Sequence, residues 1–269
     1  MSRPYAGAVA IVSGGGSGIG AALAAALTAR GAKVVVCDID ERRAQAPLGR
    51  GEAIEAHRID VADAAAWPRF IDEVAARHGR LDYLFNNAGV SVTGDARDLE
   101  LAHWQRVLDV NLHGVVYGTH AAYRVMARQA RGHIVNIASL AGLIPFPTNV
   151  PYATSKHAVV GLSLSLRAEG EALGVKVSAV CPGFIQSNIF HDTPFVNVAK
   201  DAILKGVPFR PIDTDLAAKR ILAGVAANRA IISFPFYARV LWRLYRLWPG
   251  FVAVLNRRLV ADLRRNRIS

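Results

Sequence analysis

The feature that most constrains the fold is SGGGSGIG at residues 13–20, a glycine-rich segment that joins an apolar run to an alanine-rich stretch. Residues 8–13 are typical of a buried strand, and residues 18–30, which precede Gly31, are typical of a helix. Glycine permits a tight turn and a close approach of ligand to backbone, and the first turn of a helix offers unpaired N–H groups to a phosphate. The segment is either a phosphate-binding loop or a plain tight connection, and its strand-to-helix context favours the first.

Strand-like and helix-like segments alternate along the rest of the chain. The predicted strands cover 33–37, 54–60, 81–86, 133–139 and 176–181, and the predicted helices cover 64–78, 98–127 (as one or two helices) and 152–173. This alternation predicts an α/β fold, a Rossmann-type doubly wound parallel sheet in which ligands bind beyond the carboxyl ends of the strands. We expect a dinucleotide-binding and catalytic domain at 1–235 and an amphipathic helical tail at 236–269.

The tail carries most of the positive charge. The 269-residue chain has a net charge of +11, and its last 31 residues hold eight arginines and one aspartate, a net of +7. At helical spacing, arginines and apolar residues fall on opposite faces of two segments, 236–248 and 251–265. The arginines are 239, 243, 246, 257 and 264, and the apolar residues are Tyr237, Leu241, Leu244, Trp248, Leu255, Leu259 and Leu263.

Two basic amphipathic helices predict a peripheral membrane contact. Packing against a second subunit, in a homodimer or homotetramer, or against the same chain are the alternatives. We expect no nucleic-acid partner, because the remainder of the chain lacks a basic stripe with interleaved aromatic residues. Glycines, prolines and asparagines interrupt the uncharged segments 4–29 and 132–155, so we expect neither a signal peptide nor a transmembrane helix, and a cytoplasmic protein.

The second predicted strand ends at an acidic residue. Asp38 follows Gly20 by eighteen residues, where a carboxylate can accept hydrogen bonds from an adenosine ribose and would repel a 2′-phosphate. This position favours NAD, although Arg42 and Arg43 keep NADP open as the less favoured cofactor. A solvated acid at a strand end is the purely structural alternative.

The segment YATSK places Tyr152 and Lys156 four residues apart on one face of a predicted helix. A nearby ammonium lowers the pKa of a phenol from about 10, so Tyr152 could exchange a proton with an alcohol or carbonyl oxygen. Ser139 ends a predicted strand, where its hydroxyl could hold the substrate oxygen. Asn111 is a polar residue in an apolar helical stretch, and a structural role is equally open.

Together these motifs resemble the short-chain dehydrogenase/reductase family over residues 8 to about 190. SGGGSGIG is similar to the family's TGxxxGxG, NNAG at 86–89 is intact, and PGFIQS at 182–187 is similar to PGxxxT. The resemblance implies a catalytic tetrad in which Tyr152 is the general acid/base, Ser139 orients the substrate, Lys156 binds the nicotinamide ribose, and Asn111 anchors a water. It also implies a set of cofactor-binding residues: Gly14, Ser17, Gly18, Ile19, Gly20, Asp38, Asp60, Val61, Asn87, Tyr152, Lys156, Ile185 and Ser187.

The resemblance implies an NAD(P)-dependent oxidoreductase that transfers a hydride between the nicotinamide and a secondary alcohol or ketone. A non-catalytic NAD-binding sensor or scaffold is the alternative, and an epimerase or dehydratase on the same scaffold is another. Histidines and cysteines are scattered, so we expect no metal site. We also expect Cys37 and Cys181 to be too far apart for a disulfide.

Apolar residues surround the predicted catalytic tyrosine. The segment 140–151 precedes Tyr152, and four large apolar residues follow the PG pair: Phe184, Ile189, Phe190 and Phe195. They indicate a bulky hydrophobic alcohol or ketone as substrate. Ordinary packing of a loop over the site is the alternative.

Overall fold

The structure is a computed structural model, and it describes residues 5–51, 53–187, 189–201 and 210–267. The strands are β1 (Val9–Ser13), β2 (Lys33–Asp38), β3 (Glu55–Arg58), β4 (Tyr83–Asn86), β5 (Thr93–Gly94), β6 (Gly132–Ile137), β7 (Val175–Pro182), β8 (Phe195–Val196) and β9 (Ile231–Phe234). The helices are α1 (Gly18–Thr28), α2 (Glu41–Gly49), α3 (Ala66–His78), α4 (Leu101–Leu108), α5 (Gly114–Arg128), α6 (Val150–Gly170), α7 (Ile189–Asp192), α8 (Thr214–Ala226), α9 (Phe236–Leu247) and α10 (Pro249–Arg265).

The main sheet is parallel and has the strand order β3-β2-β1-β4-β6-β7-β9. Its order reverses between β1 and β4, which is where open α/β sheets form a ligand crevice at the carboxyl ends of their strands. This confirms the predicted Rossmann-type, doubly wound fold, with the basic tail as a helical addition. A separate two-stranded ladder joins β5 to β8 beyond that edge.

Alternation along the strands explains the helices on both faces of the sheet. Successive side chains of a strand point to opposite sides, and β1 is apolar at every position but its last. Ala10 and Val12 pack in a cluster with residues of α1 and α8. Val9 and Ile11 pack in a second cluster with residues of α3 and α5. Because both faces of β1 are buried, its sequence is an almost continuous apolar run.

Two boundaries differ from the sequence prediction in ways that matter for function. The strand predicted at 133–139 ends at Ile137, so Ser139 lies two residues beyond it and caps a 3-10 turn, Leu140–Gly142. The helical stretch predicted at 98–127 is two helices joined by a π-helical turn, Asp109–His113. Such turns widen a helix locally and occur often at functional sites.

The two cysteines lie on different strands that are far apart in the sheet, as predicted. Both thiols are free and buried. Cys37 lies on β2 and Cys181 on β7, with β1, β4 and β6 between them.

One face of the tail packs against the rest of the chain. Tyr237, Leu241, Trp242 and Tyr245 of α9 lie on a buried cluster that includes Cys181. Trp248 was predicted on the same apolar face as Tyr237 and Leu241, but it is 68% exposed and does not pack with them. Its backbone (φ −138, ψ 76) has left the helix, so the helical spacing no longer places its side chain.

The second tail helix reaches the body through ion pairs. In α10, Val252 and Leu263 are buried. Arg264 donates to Asp95 over 2.8 Å, and Arg267 pairs with Asp98. Among the described helices, none has both the length and the apolar character needed to cross a bilayer.

Candidate active site

The glycine-rich loop turns sharply between β1 and α1. Gly14 (φ +60) and Gly18 (φ +51) both adopt the left-handed backbone conformation that favours glycine. Ser17, extended at φ −151, precedes the helix, and Ile19 lies partly buried in its first turn. A Cβ at Gly20 would lie only 2.1 Å from the carbonyl oxygen of Gly14, so Gly20 is required for packing within the loop itself.

Gly18 has open surroundings and faces the PGFIQS segment. The nearest atom to a Cβ placed there would be Cβ of Ser187, at 3.4 Å. A cleft of about 360 Å³ runs beside both residues and is lined also by Gln186 and Thr214. Ile185 is buried and forms a β-bridge with Ile212, which fixes the segment opposite the loop. The structure thus brings together two motifs that are about 170 residues apart in the sequence.

Asp38 lies at the carboxyl end of β2, against the same loop. One carboxylate oxygen accepts a hydrogen bond from the backbone N–H of Gly16 (3.3 Å), and the other accepts from that of Asp40 (3.2 Å). Only 8% of the residue is exposed. Each oxygen has a second lone pair. The carboxylate can therefore hold the loop and still accept from a ligand hydroxyl.

The NNAG segment is tied to the first strand. Ser13 Oγ accepts hydrogen bonds from the backbone N–H groups of Asn87 (3.0 Å) and Ala88 (3.2 Å). The Asn87 side chain donates to the carbonyl oxygens of Ser13 and Gly14. Asn86 is buried and donates to Asn136 over 2.8 Å. Ser13 stands where the family motif has threonine, and its hydroxyl accepts the hydrogen bonds that hold the NNAG segment.

Asp60 and Val61 follow β3 at the same edge of the sheet. The backbone N–H of Ile59 donates to the carbonyl oxygen of Asp38 (2.9 Å), which aligns the ends of β2 and β3. Asp60 is exposed and accepts from the backbone of Ala62, whereas Val61 is buried. The predicted pair thus follows the strand that pairs with the Asp38 strand.

Tyr152 and Lys156 are neighbours on α6, as predicted. The ammonium of Lys156 is 5.5 Å from the centre of the Tyr152 ring, and it donates to the carbonyl oxygen of Ile137 over 2.8 Å. The Ser139 side chain lies close enough to Tyr152 to favour the phenolate. Lys156 is only 3% exposed, whereas Tyr152 and Ser139 are partly exposed residues. The ammonium therefore approaches the Tyr152 ring from inside the protein.

The protonation of this pair differs from the sequence expectation. Desolvation raises the pKa of the Tyr152 phenol, and the nearby Ser139 side chain only partly opposes that rise. Burial lowers the pKa of Lys156 to about 8. The expectation that Lys156 brings the pKa of the phenol below its ordinary value is wrong for this arrangement, because burial outweighs the effect of the nearby groups.

Asn111 occupies the π-helical turn and is completely buried. Its Oδ1 accepts from the backbone N–H of Val90, and its Nδ2 donates to the Val90 carbonyl oxygen, both over 2.8 Å. Nδ2 also donates to Ser155 Oγ at 3.3 Å. Since these bonds use both amide protons, a water held by this side chain would have to donate to the second lone pair of Oδ1.

The arrangement is matched by known proteins. A family model described as "short chain dehydrogenase" matches residues 8–194. The chain belongs to the short-chain dehydrogenase family. Its members carry out oxidoreductase chemistry, and the fold, the motif order and the tetrad described above agree with that membership.

Curated relatives of this short-chain dehydrogenase include two mycobacterial proteins. "Probable oxidoreductase EphD" of Mycobacterium tuberculosis is 36% identical over 252 residues, which cover 88% of this chain and 43% of that protein. The chain thus spans less than half the length of this relative. "3-alpha-(or 20-beta)-hydroxysteroid dehydrogenase" of the same species is 38% identical over 188 residues, covering 70% of this chain and 72% of the relative.

Among solved structures, a short-chain dehydrogenase/reductase from Burkholderia phymatum in complex with NAD superposes with a TM-score of 0.82. It is 29% identical, and the match covers 91% of this chain and 95% of that one.

The short-chain dehydrogenase has further site residues that the sequence analysis did not single out. A Cβ at Gly89 would lie 3.7 Å from Lys156 Nζ, an ordinary contact, and 3.3 Å from Asn111 Oδ1, so Asn111 would have to shift slightly to admit a larger residue. The Cys181 thiol is buried beside Lys156, and burial raises its pKa to about 12. Asn149 accepts a hydrogen bond from Ser91 Oγ at 2.8 Å, just before α6. The sequence signals that could have pointed to these residues were the position of Gly89 in NNAG and that of Cys181 just before PG.

Two of the apolar segments that were predicted to surround the substrate lie near each other, and the tail contacts one of them. The rings of Phe146 and Phe184 are 6.3 Å apart, and Leu143 and Ile144 are buried nearby in sequence. Asn256 of α10 donates to the carbonyl oxygen of Pro145 at 3.5 Å. Ile189 and Phe195 are partly buried, and the side chain of Phe190 lies outside the described part of the chain.

Proposed function

We propose that this short-chain dehydrogenase transfers a hydride between NAD and a secondary alcohol or ketone, as an alcohol dehydrogenase or carbonyl reductase. The observation that carries the proposal is the placement of Tyr152 beside Ser139, with the Lys156 ammonium 5.5 Å from the tyrosine ring. A phenol and a second hydroxyl close to each other can together hold one oxygen atom. One group can then move a proton while the other orients the substrate.

The residues have separate tasks in this proposal. Tyr152 donates a proton to a ketone oxygen or takes one from an alcohol, and Ser139 holds that oxygen. Lys156 keeps a positive charge near the phenolate form, which stabilises it once desolvation has made it costly. Asn111 holds the backbone at Val90 beside α6. Bound NAD supplies the acceptor or donor of the hydride, which no side chain can replace.

The residues around the glycine-rich loop fit a dinucleotide. Gly18 is open towards the cleft, and the free N–H groups of the first turn of α1 suit a pyrophosphate. On this proposal the cofactor is held by the residues Gly14, Ser17, Gly18, Ile19, Gly20, Asp38, Asp60, Val61, Asn87, Tyr152, Lys156, Ile185 and Ser187.

Three observations favour NAD over NADP. The Asp38 carboxylate would repel a 2′-phosphate. Arg43, which could attract one, lies 3.5 Å from the carboxylate of Asp192. The structurally similar protein from Burkholderia phymatum is in complex with NAD.

We further propose a bulky hydrophobic substrate. The pair Phe146 and Phe184 supports this, and so does the similarity to a protein named hydroxysteroid dehydrogenase. We also propose a cytoplasmic homodimer or homotetramer with no nucleic-acid partner. Leu101 on α4 and Leu164 on α6, which are 86% and 37% exposed, are apolar side chains that self-association would cover.

Reduction of NAD⁺ and NADP⁺ with a graded panel of alcohols tests the proposal. We expect NAD⁺ reduction with large apolar secondary alcohols and a decrease in kcat of about 10²- to 10⁴-fold for Tyr152→Phe. Turnover confined to small polar alcohols would refute the substrate class. Full activity of Tyr152→Phe would refute the assigned proton donor.

A further inference from the structure

The first tail helix presents two faces with different surroundings. Its inner face packs on the body through Tyr237, Leu241, Trp242 and Tyr245. The opposite face carries exposed residues that recur with the helical period. Its members are Phe236, Arg239, Arg243, Arg246 and Leu247. Because the inner face is already packed against this chain, intrachain packing leaves the outer face uncovered.

This face ends in an exposed apolar corner. Leu247 is 72% exposed and Trp248, which follows it, is 68% exposed. Phe236, at the other end of the helix, is 71% exposed. Three further apolar residues of α10 are each about two fifths exposed: Val254 (39%), Leu255 (40%) and Leu259 (38%). So many large apolar side chains on one short segment indicate a surface that meets something other than water.

The eight arginines of the tail differ in their partners. Arg264 and Arg267 pair with carboxylates of the body, and Arg265 pairs with Asp262 of its own helix. Within the described part of the chain, five exposed arginines have no carboxylate in ion-pair distance: Arg239, Arg243, Arg246, Arg257 and Arg258. Two of them instead lie over aromatic rings, Arg239 at 5.8 Å from Phe236 and Arg246 at 6.0 Å from Trp242.

We propose that the outer tail surface, formed by Phe236, Arg239, Arg243, Arg246, Leu247 and Trp248, binds the surface of an anionic lipid bilayer. Guanidinium groups pair with phosphate in the headgroup layer, and leucine and aromatic side chains enter the boundary below it. Tryptophan at the corner suits that boundary, because its ring is apolar and its N–H is polar. The helix then lies in the plane of the interface and does not span the membrane.

The outer tail surface could be covered by a bilayer, by a second copy of the chain or by a nucleic acid, and its charge and apolar residues favour the bilayer. A second copy of the chain packed on the same patch would bring one row of arginines towards another, because a two-fold contact uses the same surface on both copies. A nucleic acid would neutralise the arginines but would leave Leu247 and Trp248 with no apolar partner. An anionic bilayer satisfies both kinds of side chain. This inference does not depend on the proposed dehydrogenase reaction.

Flotation of the full-length chain with lipid vesicles tests the proposal. One set of vesicles contains equal amounts of phosphatidylglycerol and phosphatidylcholine, and the other contains phosphatidylcholine only. The test variant carries Arg239→Gln, Arg243→Gln and Arg246→Gln. Its matched control carries Arg106→Gln, Arg124→Gln and Arg220→Gln, which remove the same charge from exposed positions on α4, α5 and α8. Circular dichroism establishes that each variant is folded.

A second pair of variants tests the apolar contribution. Leu247→Ser combined with Trp248→Ser changes the corner, and the control Leu173→Ser changes an apolar residue that is 44% exposed elsewhere. We expect binding to the anionic vesicles only, and a loss of at least about ten-fold for both test variants with little change for either control. The blue shift of tryptophan fluorescence on binding should disappear in Trp248→Phe.

Five results would overturn the proposal. Three of them are no flotation of the intact chain with anionic vesicles, equal binding to the uncharged vesicles, and an equal loss in the charge-matched control. The fourth is a sedimentation experiment in which the test variants change the oligomeric state without affecting flotation, which would assign the surface to a second copy. Competition by a random DNA duplex at lower concentration than the vesicles would likewise assign it to nucleic acid.

Discussion

Tyr237, in the first turn of α9, accepts a hydrogen bond from the backbone N–H of Phe184 over 2.7 Å. Phe184 belongs to PGFIQS, whose later residues face the glycine-rich loop, so this bond links the tail to the cofactor side of the site. A Cβ at Gly183 would lie 2.5 Å from the Tyr237 hydroxyl, which shows how closely the two segments meet. The tail is therefore structurally connected to the site, whatever its outer face binds.

We expect Tyr237→Phe to weaken cofactor binding more than it affects the chemical step. The change leaves the N–H of Phe184 without this acceptor, at a cost of about 1–3 kcal/mol. The segment that holds Ile185 and Ser187 should loosen, so KM for NAD⁺ should rise several-fold while kcat changes little. Tyr245→Phe is the control, because Tyr245 packs on the same cluster from the same helix. Equal KM values for the two variants would contradict the assigned link.

Asp38→Ser should change the preference between the two cofactors. Removing the carboxylate relieves its repulsion of a 2′-phosphate and also removes the acceptor of the Gly16 N–H. We expect the ratio of kcat/KM for NADP⁺ to that for NAD⁺ to rise by about 100-fold, which corresponds to a few kcal/mol of relieved repulsion. Steady-state kinetics with both cofactors measure the ratio.

The control for this change is Asp40→Ser, two residues away. Asp40 caps α2 by accepting a hydrogen bond from the backbone N–H of Arg43 (3.1 Å), and serine can keep that cap. The control removes one negative charge from the same region and leaves Asp38 in place. If it shifted the cofactor ratio as far as Asp38→Ser does, net charge and not Asp38 would set the preference.

Because the Lys156 ammonium is buried, the free energy of unfolding should vary with pH in the alkaline range. Burial lowers its pKa from 10.5 to about 8 in the folded chain. Between these values the unfolded chain binds more protons than the folded chain, so the free energy of unfolding should rise with pH in this window. Below pH 8 the lysine is charged in both states, and the folded chain bears the full cost of burying the charge.

Lys156→Met isolates this effect. We expect the stability of wild type relative to the variant to rise by up to about 3 kcal/mol from pH 8 to pH 10.5, at about 1.4 kcal/mol per pH unit. Urea unfolding at several pH values measures the difference. Lys219→Met, at an exposed position on α8, is the control and should show no such trend. A parallel pH dependence in the two variants would mean that burial of Lys156 is not the cause.

Much of the fold and of the site was predictable because it depends on local patterns. The strand–glycine–helix order at 8–30 fixed the position of the loop, and the four-residue spacing of Tyr152 and Lys156 placed them on one helical face. The sequence does not show which strands are neighbours, so the contact between Gly18 and Ser187 required the structure. The π-helical turn at Asn111 was equally hidden, because periodicity does not distinguish one extra residue in a helical turn.

The raised pKa of Tyr152 and the packing of the tail were not predictable for a different reason. Both depend on what surrounds a side chain in three dimensions. The spacing of Tyr152 and Lys156 gives their proximity but not the desolvation of the phenol, which has the larger effect. Similarly, the amphipathic pattern of the tail identifies an apolar face, but it does not say that Tyr237 and Leu241 cover the body of the same chain while Trp248 stays exposed.

The ion pair between Arg264 and Asp95 should control how α10 covers the substrate side. Asp95 is 8% exposed, and the hydrogen bond from Arg264 (2.8 Å) holds the pKa of its carboxyl below the ordinary value. Arg264→Gln removes this partner and should loosen α10 from the body. For a bulky alcohol we expect KM to rise about ten-fold, equivalent to 1.4 kcal/mol of lost binding, and for a small alcohol little change.

Arg265→Gln is the matched control, because Arg265 pairs with Asp262 of its own helix and not with the body. Hydrogen exchange over 249–265 should be faster in Arg264→Gln and unchanged in the control. The ion pair between Arg264 and Asp95 also predicts how stability changes with pH. Since the folded pKa of Asp95 is lowered, its contribution to stability is present above the pKa of the unfolded chain and is lost as pH falls through the folded value. Unchanged exchange in Arg264→Gln, with KM for the bulky alcohol equal to that of the control, would show that the pair does not hold α10 over the substrate.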